Sequence, residues 1–421
     1  MKTNSINNNL SFTNTGNIGL GLKAASKIIA VQESGLSNIR FIQDTATCLA
    51  PKAVFARSKA DLAENAFLEI SESILVYYCP AILGEKIFRK LYSKGLSDEA
   101  KKLISTPASD LLKNKNLNNK VLVPVKAAVA LGAFAIPLAE FALNYIKNGM
   151  TLKLFKQGNF ENIANLDKEN KIDKELNAKV EKSAKKNVKR AAITYAGCLA
   201  GGTLLALKGK NSKFLQNVSE IILAPGTKLF KNKEKTKNFF NKFASLDYAD
   251  NNGKLALSRG QLTSCVLVGG TGYFGSSADR GKQNFLETLF RFPLVGFYII
   301  CGNELLEKGF KKMLFNKGKC KELINKNLEV PKLKELKSLA EKIVKEKGGD
   351  YNSIYKKLLK QKTMIAGVPL AFGIGVMGFF IAGTSVLFTK YRYNKEKAKK
   401  EATMLPHKNM SAFLGLTENR F

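Results

Sequence analysis

The tightest constraint on this chain is a run of 25 uncharged residues, Met364–Phe388, with Lys390 and Arg392 just beyond it. As a helix rising 1.5 Å per residue, such a run is about 37 Å long, enough to cross about 30 Å of hydrocarbon with some tilt. Gly367, Gly373, Gly375, Gly378 and Gly383 lie within it, and Pro369 sits near its start. Small residues at such spacing let helices approach closely. The pattern predicts a transmembrane helix over residues 363–389.

Further apolar segments precede it. Residues 66–84 are apolar apart from Glu69 and Glu72. Residues 121–146 contain Lys126 and Glu140 around an uncharged middle of 13 residues, Ala127–Ala139. Residues 191–207 and 262–278 are each 17 uncharged residues, and the second is crowded with Gly and Ser. Phe292–Asn303 is too short alone and is expected to belong to a longer helix over 285–306. The connection Ser276–Phe290, the least basic of them, is expected to form the outer turn of a hairpin.

The stretches between these segments read as helical. Asp350 is placed to cap a helix whose Tyr351, Ile354, Tyr355, Leu358 and Leu359 form one stripe. Pro331 starts another helix carrying Leu333, Leu336, Leu339, Ile343 and Val344, and Gly348-Gly349 ends it. Ile172, Leu176 and Val180 repeat the pattern. Basic amphipathic helices beside apolar spans are expected at a membrane surface.

The expected class is therefore all-α: a multi-helix integral membrane protein with Lys-rich amphipathic helices between apolar ones. Residues 1–17 read as a disordered arm without the apolar core of a secretory signal. Residues 18–120 form a helical region with one apolar helix (66–84), and 121–307 a membrane-associated region. Residues 308–362 are basic amphipathic helices, 363–389 the span, and 390–421 a basic, mostly disordered tail.

Lys and Arg total 68 against 34 Asp and Glu, a formal charge of +34. Only nine of the basic residues are Arg, the residue that presents a fork for guanine or phosphate. A Lys-dominated surface favours anionic lipid headgroups or an anionic protein partner over sequence-reading nucleic-acid binding, and part of the Lys content fits codon bias in an AT-rich genome. The expected address is the plasma (inner) membrane of a bacterium. Basic connections normally alternate across a membrane, yet Lys308–Lys362 and Lys390–Lys400 flank the same span. Three explanations stand: some apolar segments are re-entrant or interfacial, loop folding overrides the rule, or the protein does not span a membrane.

The single His, His407, excludes two-His metal sites. The six cysteines show no C-x-x-C spacing, and four of them lie in apolar runs, so buried thiols in a reducing compartment are expected. No metal site and no cofactor are expected. Gly270, Gly272 and Gly275 form a G-x-G-x-x-G after an apolar run. Over about ten residues this resembles the nucleotide fingerprint of Rossmann dehydrogenases and epimerases. No amphipathic helix follows, so the glycines read as a close-packing helix face. Gly275–Lys282 has the wrong spacing for a P-loop. Asp247–Leu255 lacks the terminal Glu of an EF-hand and reads as a turn.

Charges inside apolar segments are the remaining candidates, because insertion of one costs at least about 2.5–3.5 kcal/mol. Glu69 and Glu72 lie one helical turn apart. Lys126 and Glu140 are about 21 Å apart along a helix and cannot pair with each other. Each of those two would need a partner on another helix or a water-filled path; otherwise the charges are expected to snorkel to an interface, or the carboxylates to pair with Arg57 or Lys59 outside the core. No catalytic constellation emerges, so a structural or interaction protein is expected. An ion or solute transporter using these charges and a membrane-associated nucleic-acid binder are the alternatives.

Overall fold

The structure, a computed structural model, describes residues 20–34, 37–114, 118–167, 171–230, 232–251 and 254–418. The expected arm, 1–17, lies outside the described residues. The longer helices, in chain order, are α1 (Leu20–Ser34), α2 (Ser37–Val54), α3 (Lys59–Tyr77), α4 (Asn119–Ala133), α5 (Ala135–Phe155), α6 (Lys174–Lys208), α7 (Lys213–Leu223) and α8 (Glu234–Phe243). They continue with α9 (Arg259–Ala278), α10 (Lys282–Phe297), α11 (Asn303–Asn316), α12 (Leu336–Lys347), α13 (Tyr351–Phe372) and α14 (Ile381–Glu418). The fold is all-α apart from one antiparallel hairpin, Ala249–Asn251 with Lys254–Ala256. Asn252 and Gly253, in the expected Asx/Gly turn, lie outside the described residues.

Four helices are long and apolar enough to cross a membrane: Asn119–Phe155, Lys174–Asn211, Lys282–Asn316 and Tyr351–Thr403. A fifth candidate is broken, Lys59–Tyr77 followed by Pro80–Tyr92, with a 43° bend at the Pro80 junction. Proline has no N–H to donate, which explains a break there. The Gly- and Ser-rich helix α9 is not among the candidates. Only the first candidate is enclosed: 78% of its most apolar stretch is buried, against 17% for each of the other three unbroken helices. The Met364–Phe388 run belongs to the exposed set.

The chain divides into two compact units, residues 1–36 with 302–373, and residues 37–301 with 374–421. Of the three points where the chain passes between them, the latter two fall in or at the edge of π-helical stretches, Tyr298–Gly302 and Gly373–Phe380.

In the first unit, α1, α11 and α12 pack on α13. Its core joins Leu314, Leu323, Ile324, Leu336, Ala340, Ile343, Tyr355, Leu358 and Leu359, with Tyr351, Ile354 and Leu339 partly buried against them. Asp350 caps α13 by accepting from the Ser353 N–H at 2.7 Å. The stripes expected to meet a membrane surface are thus spent on one another. Two facing stripes bury more apolar area than headgroups would, and the lysines are left outside. The exception is Lys362, which pairs with Glu33 at 2.6 Å and donates to the Pro331 carbonyl at 2.5 Å.

In the second unit, α5 is central, packed by α9, α6 and α3, while α4 lies against α6 and α7, and α10 against α14. Two apolar clusters form around α4, one with Phe88, Val125, Val129 and Tyr248 and one with Val123, Ala127, Ala128, Leu205 and Leu223. The segment expected as a mostly disordered tail continues as α14 to Glu418. Its Lys-, Glu- and Ala-rich stretch, Lys395–Ala402, consists of strong helix formers.

Leu358 is fully enclosed in the first unit. Leu358→Ala should therefore cost about 2–5 kcal/mol, read as lost hydrogen-exchange protection across 336–372, with 37–301 unaffected.

Candidate functional site: an ion-pair ladder inside the helix bundle

One face of α3 is acidic and turned inward. Asp61, Glu64, Glu69 and Glu72 recur at helical spacing with Asn65 and Leu68 between them, covering about 16 Å of helix. Ser58 caps the helix and accepts from the Asp61 N–H at 3.1 Å, which fixes where the stripe begins. Asp61, Glu64 and Glu69 are buried. The second unit's interior is therefore charged, and many of its outward residues are apolar: Ile193, Leu204, Leu207, Phe290, Leu294, Phe297, Phe380, Leu387 and Phe388 are all exposed.

Each of these three carboxylates has a cation from another element. Arg280, just after α9, is only 1% exposed and grips Glu64 with both guanidinium nitrogens, at 2.9 and 2.5 Å. Its Nε donates to the Gly158 carbonyl, and Thr151 of α5 donates to the same Glu64. Arg57 bonds Asp61 at 3.0 Å and takes Glu287 of α10 in a fork at 2.8 and 3.2 Å. The Arg57 guanidinium also stands 5.0 Å from the centre of the Phe160 ring. Lys52 of α2 pairs with Glu69. Burial opposes the charge on Lys52 and on Arg57. The carboxylates beside them outweigh it and hold both cations above their usual range.

The expected candidates divide. Glu69 and Glu72 join the ladder, but neither through Arg57 nor through Lys59. Glu72 lies within electrostatic reach of Glu69, Lys52 and Lys147. Glu140 of α5 lies next along, within electrostatic reach of Glu72 and beside Cys265. Lys126 stands apart. It is 3% exposed, so it does not snorkel; it pairs with Asp247 at 2.6 Å and donates to the Ile104 carbonyl at 2.8 Å. The Asp247 carboxylate also accepts from the Ala108 N–H at 2.6 Å. Among the expected buried thiols, Cys265 is enclosed, whereas Cys79, Cys198 and Cys301 are half-buried.

The glycine-rich run lies inside helix α9 and closes the ladder by steric fit. A Cβ on Gly272 would come within 2.6 Å of the Phe141 carbonyl oxygen of α5. Gly269 faces Glu140, Gly270 faces the Phe292 ring, and Gly275 faces the Tyr145 hydroxyl. All four positions are taken by neighbouring helices, so the nucleotide-loop likeness ends at the sequence pattern. The Ser276–Phe290 connection joins the paired helices α9 and α10 as a hairpin, but its turn is enclosed rather than exposed: Ser276, Ser277, Arg280 and Gln283 are all buried, because Glu64 draws Arg280 inward.

Between the rungs is a cavity of about 40 Å³, lined by Lys52, Arg57, Asp61, Glu64, Lys147, Tyr273, Asn284, Glu287 and Arg291 among others. That is room for about three waters and not for an organic solute. Among the described residues, no three His, Cys, Asp or Glu side chains gather as metal ligands.

Sequence reasoning missed Asp61, Glu64, Lys147 and Arg280. The first two carry the i, i+3, i+8, i+11 spacing of Glu69 and Glu72, but they precede the apolar run that drew attention. Lys147 is one residue past the 121–146 segment. Arg280 carried no local signal at all.

Comparison with protein-family models, curated proteins and solved structures finds no match to this chain.

Breaking one side of an enclosed pair strands the other charge, so Glu64→Leu or Arg280→Met alone should cost about 3–5 kcal/mol. The double replacement should recover most of that loss in a thermal-unfolding cycle. Gly272→Ala should separate α5 from α9 and lower the melting temperature, whereas Gly367→Ala, with nothing within 4 Å of the added methyl, should be neutral or slightly stabilising.

Proposed function

We propose that this chain is a multi-pass integral membrane protein of the bacterial plasma membrane, non-enzymatic, which presents a Lys-rich helical module to anionic headgroups on the cytoplasmic face. The observation that carries this reading is the polarity of the second unit, with ion pairs inside and large apolar side chains outside on long helices. In water, exposed apolar patches of that extent are costly. In lipid the outward faces are solvated, and the inward charges must satisfy one another.

The first unit supplies the interaction surface. Residues 308–362 hold 17 Lys against six acids. The module's apolar stripes are consumed in its own core, so its outward chemistry is the ammonium groups of residues such as Lys337, Lys342, Lys356 and Lys360, all exposed. In sequence it is bracketed by two candidate spans, Lys282–Asn316 and Tyr351–Thr403. Each Lys near an anionic leaflet contributes about 1 kcal/mol. Few Arg forks and a self-contained core argue against nucleic acid as the partner.

A second reading, proton or ion passage, is favoured by one observation only: the carboxylates of Glu69, Glu72 and Glu140 follow one another across α3 and α5. Under the first reading, Glu140→Gln leaves ion flux in proteoliposomes unchanged. Loss of a measurable flux on that replacement would establish the second instead.

On alkaline carbonate extraction the chain should stay in the pellet. Detergent-purified full-length chain should capture phosphatidylglycerol vesicles but not neutral ones, and Lys337→Gln with Lys356→Gln and Lys360→Gln should weaken capture at least tenfold. Recovery in the supernatant, or equal capture of neutral vesicles, would overturn the reading.

A further inference from the structure

Lys147 is the cation of the ladder that has no carboxylate of its own. It is 7% exposed, and among the described residues its ammonium makes no hydrogen bond and no ion pair. It stands over the face of the Tyr273 ring, 5.7 Å from the centroid, and within electrostatic reach of Glu64. The ammonium borders the interior cavity. An ammonium with no hydrogen-bond acceptor at that depth is costly, and an acceptor on the cavity side would relieve that cost.

The other unmet groups there are also donors. Asn284, 8% exposed, has a buried Nδ2 with no acceptor. Arg291 reaches a carboxylate, that of Glu287, only at 3.9 Å. The acceptors on the cavity wall are already engaged: Asp61 and Glu287 by Arg57, and Glu64 by Arg280 and Thr151. Counting Glu69 and Glu72 of the ladder, five carboxylates stand against five cations, Lys52, Arg57, Lys147, Arg280 and Arg291. Glu72 feels Lys147 across space but bonds to neither it nor Lys52, and it lies toward Glu140. The cavity therefore has spare donors and a volume of about 40 Å³.

We propose that this cavity binds a small monovalent anion, a halide, held by the Lys147 ammonium with the Asn284 amide and the Arg291 guanidinium. A halide accepts from all three donors without the directional demands of an oxyanion. The bound ion would tie α5 to α10 across the ladder, so occupancy would be read as stability.

The test uses the full-length chain in detergent. Melting temperature is measured in sodium gluconate, chloride, bromide and sulfate at matched ionic strength. Chloride and bromide should raise it saturably by several degrees, and sulfate should not, although sulfate screens the +34 surface at least as well. Lys147→Met should abolish the halide increment without lowering the value in gluconate. Should Lys147→Met fail to fold, ³⁵Cl linewidths decide on the unmodified chain: bromide should compete away the broadening, and Asn284→Leu should weaken apparent halide affinity at least tenfold. Equal melting in all four salts, a sulfate effect as large as that of chloride, or an undiminished halide increment in Lys147→Met would overturn the site.

Discussion

Enclosing a guanidinium away from water costs several kcal/mol. Arg280 is enclosed because Glu64 meets it with both oxygens. That pair joins positions 216 residues apart in sequence. Glu64 belongs to α3, so the pair sets the rotation of that helix and aims its acidic face at the interior. Once the face points inward, Asp61, Glu69 and Glu72 need cations or protons nearby. Arg57 and Lys52 are drawn in from the preceding loop and from α2. An apolar core tolerates many rotations of a helix at similar cost. A charged stripe tolerates one, because any other leaves ions unpaired.

The glycines of α9 and the ladder serve each other. Close approach of α9 to α5 requires the bare backbone at Gly272, and that approach carries Arg280 to the buried end of Glu64. The ladder then restrains α9 from sliding, because a displaced helix would leave Arg280 and Glu64 unpaired. The first unit is built on the opposite plan, with leucines inside and lysines outside. One chain thus contains a module with leucines inside and lysines outside, and a bundle with ion pairs inside and large apolar side chains outside. This difference also bears on the basic flanks of the last apolar run: one flank belongs to a self-folded module, whose charges follow from its own solubility.

Much of the helical layout was legible in the sequence. The unbroken Met364–Phe388 run, the stripes at Tyr355–Leu359 and Leu336–Ile343, and the Asp350 cap all rest on short-range periodicity, and the helices follow it. Lys126 and Glu140 were visible as charges in apolar surroundings. Their partners were not, since Asp247 and Cys265 lie more than a hundred residues away. The ladder was half visible. The period that links Glu69 and Glu72 extends back to Glu64 and Asp61, but a search ordered by hydropathy begins after them. Arg280 could not be found at all, because a polar turn between two apolar segments has the same composition whether it faces water or a carboxylate. Local patterns fix helices; long-range charge pairing fixes which face turns inward, and that is where the reading stopped.

The claim on which the rest depends is that the outward apolar faces of the second unit rest against acyl chains. The chain contains no Trp, so a single introduced indole reports its own surroundings without background. In proteoliposomes, Phe380→Trp and Phe297→Trp, at outward-facing positions, should emit at short wavelength and be strongly quenched by lipids brominated on the acyl chain, while aqueous iodide has little effect. Emission at long wavelength, quenched by iodide and untouched by the brominated lipid, would place those faces in water and contradict the account.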